Sequence, residues 1–162
     1  MIIEFLKDNP GFIDEIAALM FEEWGHIRQG TTMERYYNYL KEKQNIDKIP
    51  LTLIAKSENN ELLGFASLVI SDMEINKDLS PWISGVFVLP EHRGKGFGGI
   101  LVGRLEQLAK DFGYEKLYLY TFDKERFYSD LSWTKIKDEY YLNSNVAVMI
   151  KDLKTKNKNT VA

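Results

Sequence analysis

The sequence contains no cysteine and only two histidines, His26 and His92, which lie far apart in the chain. The absence of cysteine excludes disulfide bonds, thiolate metal sites and cysteine nucleophiles, and it is typical of proteins from a reducing cytoplasm. Two distant histidines give no metal-ligand spacing, so no metal site is expected. Any catalysis must therefore come from oxygen, nitrogen or backbone groups.

Long apolar runs are also missing. No segment approaches the ~18 consecutive apolar residues of a membrane-spanning helix, and the start Met1-Ile2-Ile3-Glu4 lacks the basic region and apolar core of a signal peptide. The composition, with 44% hydrophobic and 28% charged residues, is that of a soluble globular protein. The net charge of -3 disfavours nucleic acid, because phosphate binding needs a concentrated basic face. We expect a cytoplasmic protein that binds neither membranes nor nucleic acid.

The chain of 162 residues suffices for one domain. We assign this domain to residues 1–151 and interpret the polar, lysine-rich residues 152–162 as a flexible tail. The spacing of apolar residues and turn signals predicts the element order βααβββαβαββ. The predicted strands cover residues 2–6, 51–56, 62–71, 82–89, 116–120, 133–138 and 146–151, and the predicted helices cover residues 11–24, 33–44, 98–112 and 125–131.

The most informative segment is a glycine-rich loop that follows an apolar strand and opens a helix. After Val86-Phe87-Val88-Leu89, Pro90 ends the strand because it has no backbone donor. The loop Arg93-Gly94-Lys95-Gly96-Phe97-Gly98-Gly99 combines two positive charges with glycines that let several N–H groups converge on one oxyanion. The first turn of the next helix adds unpaired N–H groups and the positive end of its dipole. These features predict a pyrophosphate site.

Two other nucleotide-binding loops fit this segment less well. A Walker loop requires Gly-Lys-Ser or Gly-Lys-Thr, and neither occurs in the chain. Residues 94–99 satisfy the letters G-x-G-x-x-G, but residues 90–93 separate the first glycine from the strand, whereas the Rossmann turn is tighter. The acidic partner of that fold is at best Asp123, later than the usual spacing of about 20 residues, and too few βαβ units follow.

Residues 93–98 resemble the Arg/Gln-x-x-Gly-x-Gly/Ala pyrophosphate loop of the Gcn5-related N-acetyltransferase (GNAT) superfamily. The resemblance extends to the strand exit Val-x-Pro-Glu-x-Arg at 88–93 and to the amphipathic helix after the loop. It also covers residues 127–133, where the family has Tyr, three residues and Gly-Phe/Trp, although Ser132 replaces the usual glycine. The patterns at 22–25, 72–74 and 78–82 are similar to those of a bacterial branch of the superfamily. The resemblance implies an α+β fold, a three-layer α/β/α arrangement around a mixed, splayed central sheet.

The resemblance also implies positions for acetyl-CoA as co-substrate. The pantetheine arm would lie along the strand at Val86, Phe87 and Val88, and the pyrophosphate would bind the amides of residues 94–99 beside Arg93. The N–H of Val88 would contact the thioester carbonyl. Tyr128 is the expected general acid, since a phenol with an ordinary pKa of ~10 is protonated at pH 7. The alternative for Tyr128 is a core aromatic that covers the sheet.

A general base is harder to place. The inward positions of the strand before the loop are Trp82, Ser84 and Val86, none of which takes a proton at neutral pH. Asp72 or Glu74 could replace the glutamate that many relatives carry there, as could a water chain. Further candidates between the first two helices are Glu22, Glu23 and His26. The predicted acceptor site comprises Trp24, Asp72, Glu74, Trp82 and Ser84, with Tyr36 or Tyr37 as further walls and a core role as the alternative for the tryptophans.

Together these features favour an acetyl-CoA-dependent N-acetyltransferase, monomeric or homodimeric, that acetylates a primary amine of a small molecule by direct attack in a ternary complex. Acidic residues on both rims of the expected acceptor site favour a cationic acceptor. One alternative is a protein N-terminal acetyltransferase, whose acidic peptide would need Arg28, Arg35 or Lys41 to dominate the site. The other is a non-catalytic acyl-CoA binding or sensing module, which the missing strand carboxylate favours and Tyr128 opposes.

Overall fold

The computed structural model describes residues 1–154, in which seven strands form one sheet. The strands are β1 (Ile2–Phe5), β2 (Leu51–Lys56), β3 (Leu62–Val69), β4 (Trp82–Val88), β5 (Lys116–Thr121), β6 (Thr134–Tyr141) and β7 (Ser144–Asp152). The α-helices are α1 (Ile13–Trp24), α2 (Met33–Lys41), α3 (Phe97–Asp111) and α4 (Glu125–Asp130). The predicted order βααβββαβαββ and the predicted α+β fold class are confirmed.

The helices cover both faces of the sheet, because successive strand residues point to opposite sides. On one face, α1 and α2 bury Ile16 and Leu40 against Phe65 of β3. On the other face, α3 buries Leu101 and Leu105 in a larger cluster that also contains residues of β2, β5 and β7. A fully buried side chain of this size contributes about 1.5–3 kcal/mol, so these two apolar layers hold the sheet between the helices.

One helix and one strand end earlier than predicted, and both differences concern residues near the site. The helix predicted over 33–44 ends at Lys41, because the Lys43 N–H bonds to the Leu40 carbonyl in a tighter turn. The strand predicted over 62–71 ends at Val69, which pairs with Trp82, the first residue of β4. Lys43 and Asp72 therefore lie in connecting segments rather than in regular elements.

The hairpin of β6 and β7 is longer than predicted. Its strands run to Tyr141 and from Ser144, and the two residues between them, Leu142 and Asn143, have φ of 52° and 60°. Left-handed backbone at both central positions is the geometry of a type I′ turn, which fits the twist of two paired strands. Leu-Asn is an unusual sequence for this turn, which is why the sequence underestimated both strands.

The sheet splays between β4 and β5. Six neighbouring pairs order the strands as β1-β2-β3-β4-β5-β7-β6, all antiparallel except the parallel pair β4 and β5. This parallel pair is in register only at Trp82 and Tyr118. On its other side β4 contains a bulge, where Gly85 and Val86 lie opposite Ala66, and Gly85 has a φ of +62° that favours glycine.

The end of the described chain belongs to the fold. β7 continues through Asp152, and Leu153 is buried, with its N–H bonded to the Glu115 carbonyl at 2.8 Å. The first residues of the predicted tail are thus structured, and residues 155–162 lie outside the described residues. No helix in residues 1–154 combines the length and the apolar character that crossing a membrane requires.

Candidate active site

The glycine-rich loop leaves an open surface at the start of α3. Gly94 and Gly96 have φ of +74° and +82°, and a Cβ added at either would meet no heavy atom within 4 Å. The first helical hydrogen bond runs from the Ile100 N–H to the Gly96 carbonyl at 3.2 Å, so the amides of residues 97–99 precede the helical ladder. These amides and the exposed side chain of Lys95 form a surface suited to an anion.

The later glycines of the loop serve packing as well. A Cβ at Gly98 would lie 3.3 Å from Cζ of Phe127, and one at Gly99 would lie 3.4 Å from Cδ2 of Leu131. Both contacts are with the segment that carries Tyr128, and Phe97 packs against the apolar core of the same face. The missing side chains therefore let α4 approach α3, while the predicted phosphate role concerns the amides.

The end of β4 presents its backbone to the splayed gap. The Leu89 N–H bonds to the Leu63 carbonyl of β3 at 3.0 Å, and the bonding direction alternates along a strand, so Val88 turns its N–H and carbonyl away from β3. Arg93 occupies that carbonyl, since its Nε donates to it at 2.9 Å. The Val88 N–H is left facing the gap, and its predicted contact with a thioester carbonyl stays a prediction.

The side chains of this strand alternate in role. Val86 and Val88 are partly exposed, whereas Phe87 is buried, stacks on Phe65 with ring centroids 5.3 Å apart and meets Trp24 edge-on at 6.0 Å. The guanidinium of Arg93 lies 5.4 Å from the centroid of the Phe87 ring. Phe87 therefore has its side chain in the core and, by the same alternation, its backbone N–H and carbonyl turned toward β3, so neither faces the gap. Arg93 holds the strand exit.

A cleft of about 460 Å³ opens beside this strand, between α1, α2, β4, β5 and α4. Of the predicted site residues it brings together Trp24, Asp72, Glu74, Ser84, Val86 and Tyr128. Aromatic side chains from α2, from β5 and from the residue that follows β5 also line it, namely Tyr36, Tyr39, Tyr120 and Phe122. Neutral aromatic faces beside carboxylates suit an amine, which a ring face attracts when charged.

The carboxyl group of Asp72 has an unusual environment in this cleft. Its Oδ1 accepts a hydrogen bond from the Ser84 hydroxyl at 2.6 Å. Burial raises the pKa of Asp72 from the ordinary 3.8 to about 7, although Ser84, Lys43 and Arg28 all act to lower it. A carboxyl that is partly ionised at neutral pH can take a proton from an ammonium and release it again. Asp72 thus supplies the carboxylate that β4 itself lacks.

Tyr39 was missed by the sequence analysis. Its hydroxyl lies 3.0 Å from the Ser84 hydroxyl, and its ring lines the cleft. The available signal was helical spacing, because Tyr36 and Tyr39 are three residues apart and so share a face of α2. The sequence predicted only Tyr36 or Tyr37 as aromatic residues that line the acceptor site. Tyr37 is exposed and lies outside the cleft lining.

Tyr128 is buried at the edge of the cleft. Burial, followed by the charge of Asp72, raises its pKa well above the ordinary 10 that the sequence suggests. Ser132, at the position of the family's glycine, adopts a φ of +68°, and the Trp133 N–H still bonds to the Tyr128 carbonyl at 3.0 Å. The departure from glycine therefore leaves the turn in register.

Some predicted site residues lie elsewhere. Trp82 is fully buried, donates from Nε1 to the Leu79 carbonyl at 2.6 Å and does not line the cleft, so its position supports the core role. Glu22 and His26 are exposed and also lie outside the cleft lining, whereas Glu23 is part of it.

Glu74 is not a free carboxylate. Nη1 of Arg28 lies 2.6 Å from its Oε1, and Nη2 donates to the Tyr141 hydroxyl at 3.1 Å. The Tyr141 hydroxyl also accepts the Glu74 N–H at 3.0 Å. Arg28 thus ties the segment after α1 to the segment after β3 and to the end of β6, and it neutralises one of the carboxylates that the sequence offered to a cationic acceptor.

Comparison with known proteins gives consistent matches. The profile of the Acetyltransferase (GNAT) family matches residues 13–131. The ribosomal protein bS18-alanine N-acetyltransferase of Haemophilus influenzae is 30% identical over 110 residues, covering 66% of this chain and 68% of that protein.

Solved structures share the fold. An aminoglycoside 6'-N-acetyltransferase complexed with coenzyme A has a TM-score of 0.74 at 19% identity, covering 95% of this chain and 98% of that chain. A Salmonella typhimurium protein solved with its cofactor acetyl-CoA has a TM-score of 0.68 at 18% identity, covering 100% and 99%. At these identities the likeness shows the three-dimensional arrangement alone.

Proposed function

Since the chain belongs to the GNAT family of acetyltransferases and is thus an acetyl-CoA-dependent N-acetyltransferase, we propose that its acceptor is a primary amine of a small molecule and that Asp72 is the general base. The observation that carries this proposal is the carboxyl of Asp72, held in the cleft by Ser84 with a pKa of about 7. A base with a pKa near the working pH is the most effective at removing a proton that must later be released.

The residues divide the reaction between them. Asp72 accepts one proton of the substrate ammonium, and the neutral nitrogen attacks the thioester carbonyl while the substrates occupy a ternary complex. A C–N bond forms, and the Val88 N–H stabilises the oxyanion. As the C–S bond breaks, the thiolate takes the hydroxyl proton of Tyr128, and the second proton of the nitrogen restores the phenol. Asp72 then releases its proton to solvent.

The charges of the cleft favour a cationic amine. Arg28 pairs with Glu74 at 2.6 Å and Lys124 with Asp123 at 3.7 Å, so these four groups largely cancel. The remaining charged side chains of the lining in residues 1–154 are Glu23, Asp72 and Arg35. Two carboxylates against one guanidinium, with aromatic walls around them, attract a cation.

The size of the cleft supports a small acceptor. Arg28 connects three segments of the cleft wall through Glu74 and Tyr141. A cleft of about 460 Å³ is within the range of small-molecule sites.

The test is Asp72→Asn, which keeps the size of the side chain and an acceptor for Ser84. We expect kcat/KM for a diamine acceptor at pH 7 to fall by ~10²- to 10⁴-fold, the scale of lost general base catalysis. The wild type should lose activity below about pH 7 as Asp72 is protonated, and the variant should lack this acid limb. Asp47→Asn, an exposed carboxylate, is the matched control. An unchanged rate and pH profile in Asp72→Asn would refute the assignment.

A protein N-terminal acetyltransferase is the second candidate, because the relative that is 30% identical acts on an alanine of a ribosomal protein. The two candidates differ in the charge and length of the preferred acceptor. The deciding measurement compares kcat/KM for polyamines and small primary amines with that for peptides beginning with Ala, Asp or Glu. Faster turnover of the peptides would replace the small-molecule proposal with this one.

A further inference from the structure

Buried hydroxyl groups form a row across the sheet beside Asp72. Thr52, Ser67 and Ser84 are paired positions on the neighbouring strands β2, β3 and β4, and all three are buried. The Thr52 and Ser67 hydroxyls lie 2.8 Å apart. Tyr39 joins the row from α2, because its hydroxyl lies 3.0 Å from the Ser84 hydroxyl.

The ionised carboxylate of Asp72 fixes the direction of the two hydrogen bonds that lead to it. An ionised carboxylate only accepts, so Ser84 donates its single hydroxyl proton to Asp72. The Tyr39 hydroxyl must then donate to Ser84. The Tyr39 and Ser84 hydroxyls thus both direct their protons toward one carboxylate.

Tyr39 is itself held in place by Lys43. The ammonium of Lys43 lies 3.3 Å from the centroid of the Tyr39 ring and donates to the Tyr39 carbonyl at 3.1 Å. Lys43 is buried, and burial lowers its pKa. A buried ammonium committed to one ring and one carbonyl of the same residue fixes both the backbone and the ring of Tyr39.

We propose that Tyr39 is a positioning residue of the acetyltransferase: it holds the Ser84 hydroxyl in the orientation that donates to Asp72 and so keeps this carboxylate ionised and aligned for the acceptor amine. The catalytic meaning of this role rests on the proposed function of Asp72 as base. Its structural basis does not, because the hydrogen bonds that join Tyr39, Ser84 and Asp72 exist whatever reaction the cleft performs. Hydrogen bonds in such a row strengthen one another, since each donor is polarised by the next.

Other groups also act on Asp72 and must be separated from Tyr39. Burial raises the pKa of Asp72, while the positive charges of Lys43 and Arg28 act to lower it. The titratable and charged groups around it come from every packed element: Arg28 between α1 and α2, Tyr39 of α2, Lys43 after α2, Glu74 on its own segment, Tyr120 of β5 and Tyr128 of α4. Burial, followed by the charge of Asp72, raises the pKa of the three tyrosines, which therefore stay neutral.

The test compares Tyr39→Phe, Ser84→Ala and the double variant. Phenylalanine keeps the ring that Lys43 contacts and removes only the hydroxyl. Tyr37→Phe, the same change on an exposed position of α2, is the matched control. The pKa of the Asp72 carboxyl is measured by carbon NMR titration, independently of turnover, and the acid limb of kcat/KM is measured alongside it.

We expect Ser84→Ala to raise the pKa of Asp72 by about 1 unit, the size of one hydrogen bond to a charged group, and Tyr39→Phe to raise it by about 0.5 unit. Because Tyr39 acts through Ser84, the double variant should match Ser84→Ala rather than add to it. An unchanged Asp72 pKa in Tyr39→Phe, or additive shifts, would overturn the positioning role. A carboxyl pKa that moves without any acid limb in kcat/KM would instead overturn Asp72 as base and leave the role of Tyr39 intact.

Discussion

Burial in this cleft changes the pKa values of single side chains and so decides which of them exchange protons at neutral pH. Burial raises the pKa of the carboxyl of Asp72 and of the phenol of Tyr128 alike, but the two results differ chemically. The carboxyl reaches about 7 and exchanges protons at neutral pH, whereas the phenol remains protonated throughout that range. One physical cause therefore separates the proposed proton acceptor from the proposed proton donor in the same cleft.

Tyr128→Phe tests the donor. We expect kcat to fall by ~10²-fold while the affinity for acetyl-CoA, measured by calorimetry, stays the same, because the hydroxyl acts only as the thiolate leaves. Since the pKa of Tyr128 is raised, the wild type should show no alkaline limb from this phenol below about pH 10. Tyr140→Phe, at a highly exposed tyrosine, provides the control. Equal kcat values would return Tyr128 to a packing role.

The sequence predicted candidate residues of this site but not the hydrogen bonds that join them. Asp72, Ser84 and Tyr128 were each candidates, but the hydrogen bond between Asp72 and Ser84 depends on where β3 ends and how the chain returns to β4. Tyr39 lies far from Asp72 and Ser84 in the sequence. Its hydroxyl reaches Ser84 only because α2 packs on this face of the sheet. Contacts that depend on tertiary packing produce no local sequence pattern from which they could be predicted.

At the scale of elements, local signals worked where local chemistry decides. The glycine-rich loop, Pro90 and the apolar spacing of α3 specify a strand, a turn and a helix, and all three were predicted within a residue or so. The β6 and β7 boundaries failed because an unusual type I′ turn at Leu142 and Asn143 carries no glycine. The splay between β4 and β5 was expected only from the resemblance, since no residue pattern encodes it.

Lys95→Glu tests the loop. Lys95 is exposed beside two glycines with open space around them, so the change reverses one charge without a packing cost. We expect the Kd for acetyl-CoA to rise by about 10-fold or more, because a positive charge near the pyrophosphate becomes repulsive. Binding should be measured by calorimetry at low salt.

The matched control is Lys7→Glu, an exposed lysine at the start of the chain. Substitution of Gly98 is less informative, because its side chain would press on Phe127 and disturb α4 as well as the phosphate surface. If Lys95→Glu binds acetyl-CoA like the control, the loop does not hold the pyrophosphate.

At the scale of the whole molecule, Asp72 should cost stability. Its pKa is higher in the folded protein than in the unfolded chain, so the native state binds more protons between about pH 4 and pH 7. The free energy of unfolding therefore falls as the pH rises through this window, and the loss is complete above about pH 7. The displacement from 3.8 to about 7 corresponds to at most about 4 kcal/mol, which the solvent contact of Asp72 reduces.

Asp72→Asn removes this loss. We expect the variant to be more stable than the wild type by about 2 kcal/mol at pH 8 and by much less at pH 4, measured by urea unfolding. The less active variant would then be the more stable protein, a trade-off that is common when a destabilising group serves the reaction. A stability difference that does not change with pH would mean that Asp72 titrates normally.

The single register pair between β4 and β5 leaves the molecule with two half-sheets, β1 to β4 on one side and β5, β7 and β6 on the other. Side chains of one apolar cluster join them, but almost no ladder of hydrogen bonds does. Amide hydrogen exchange should therefore be faster for the β4 amides that face this gap than for the β4 amides bonded to β3. A bound cofactor arm that pairs with this edge would act as an inserted strand, so that each catalytic cycle alternately closes and reopens the sheet.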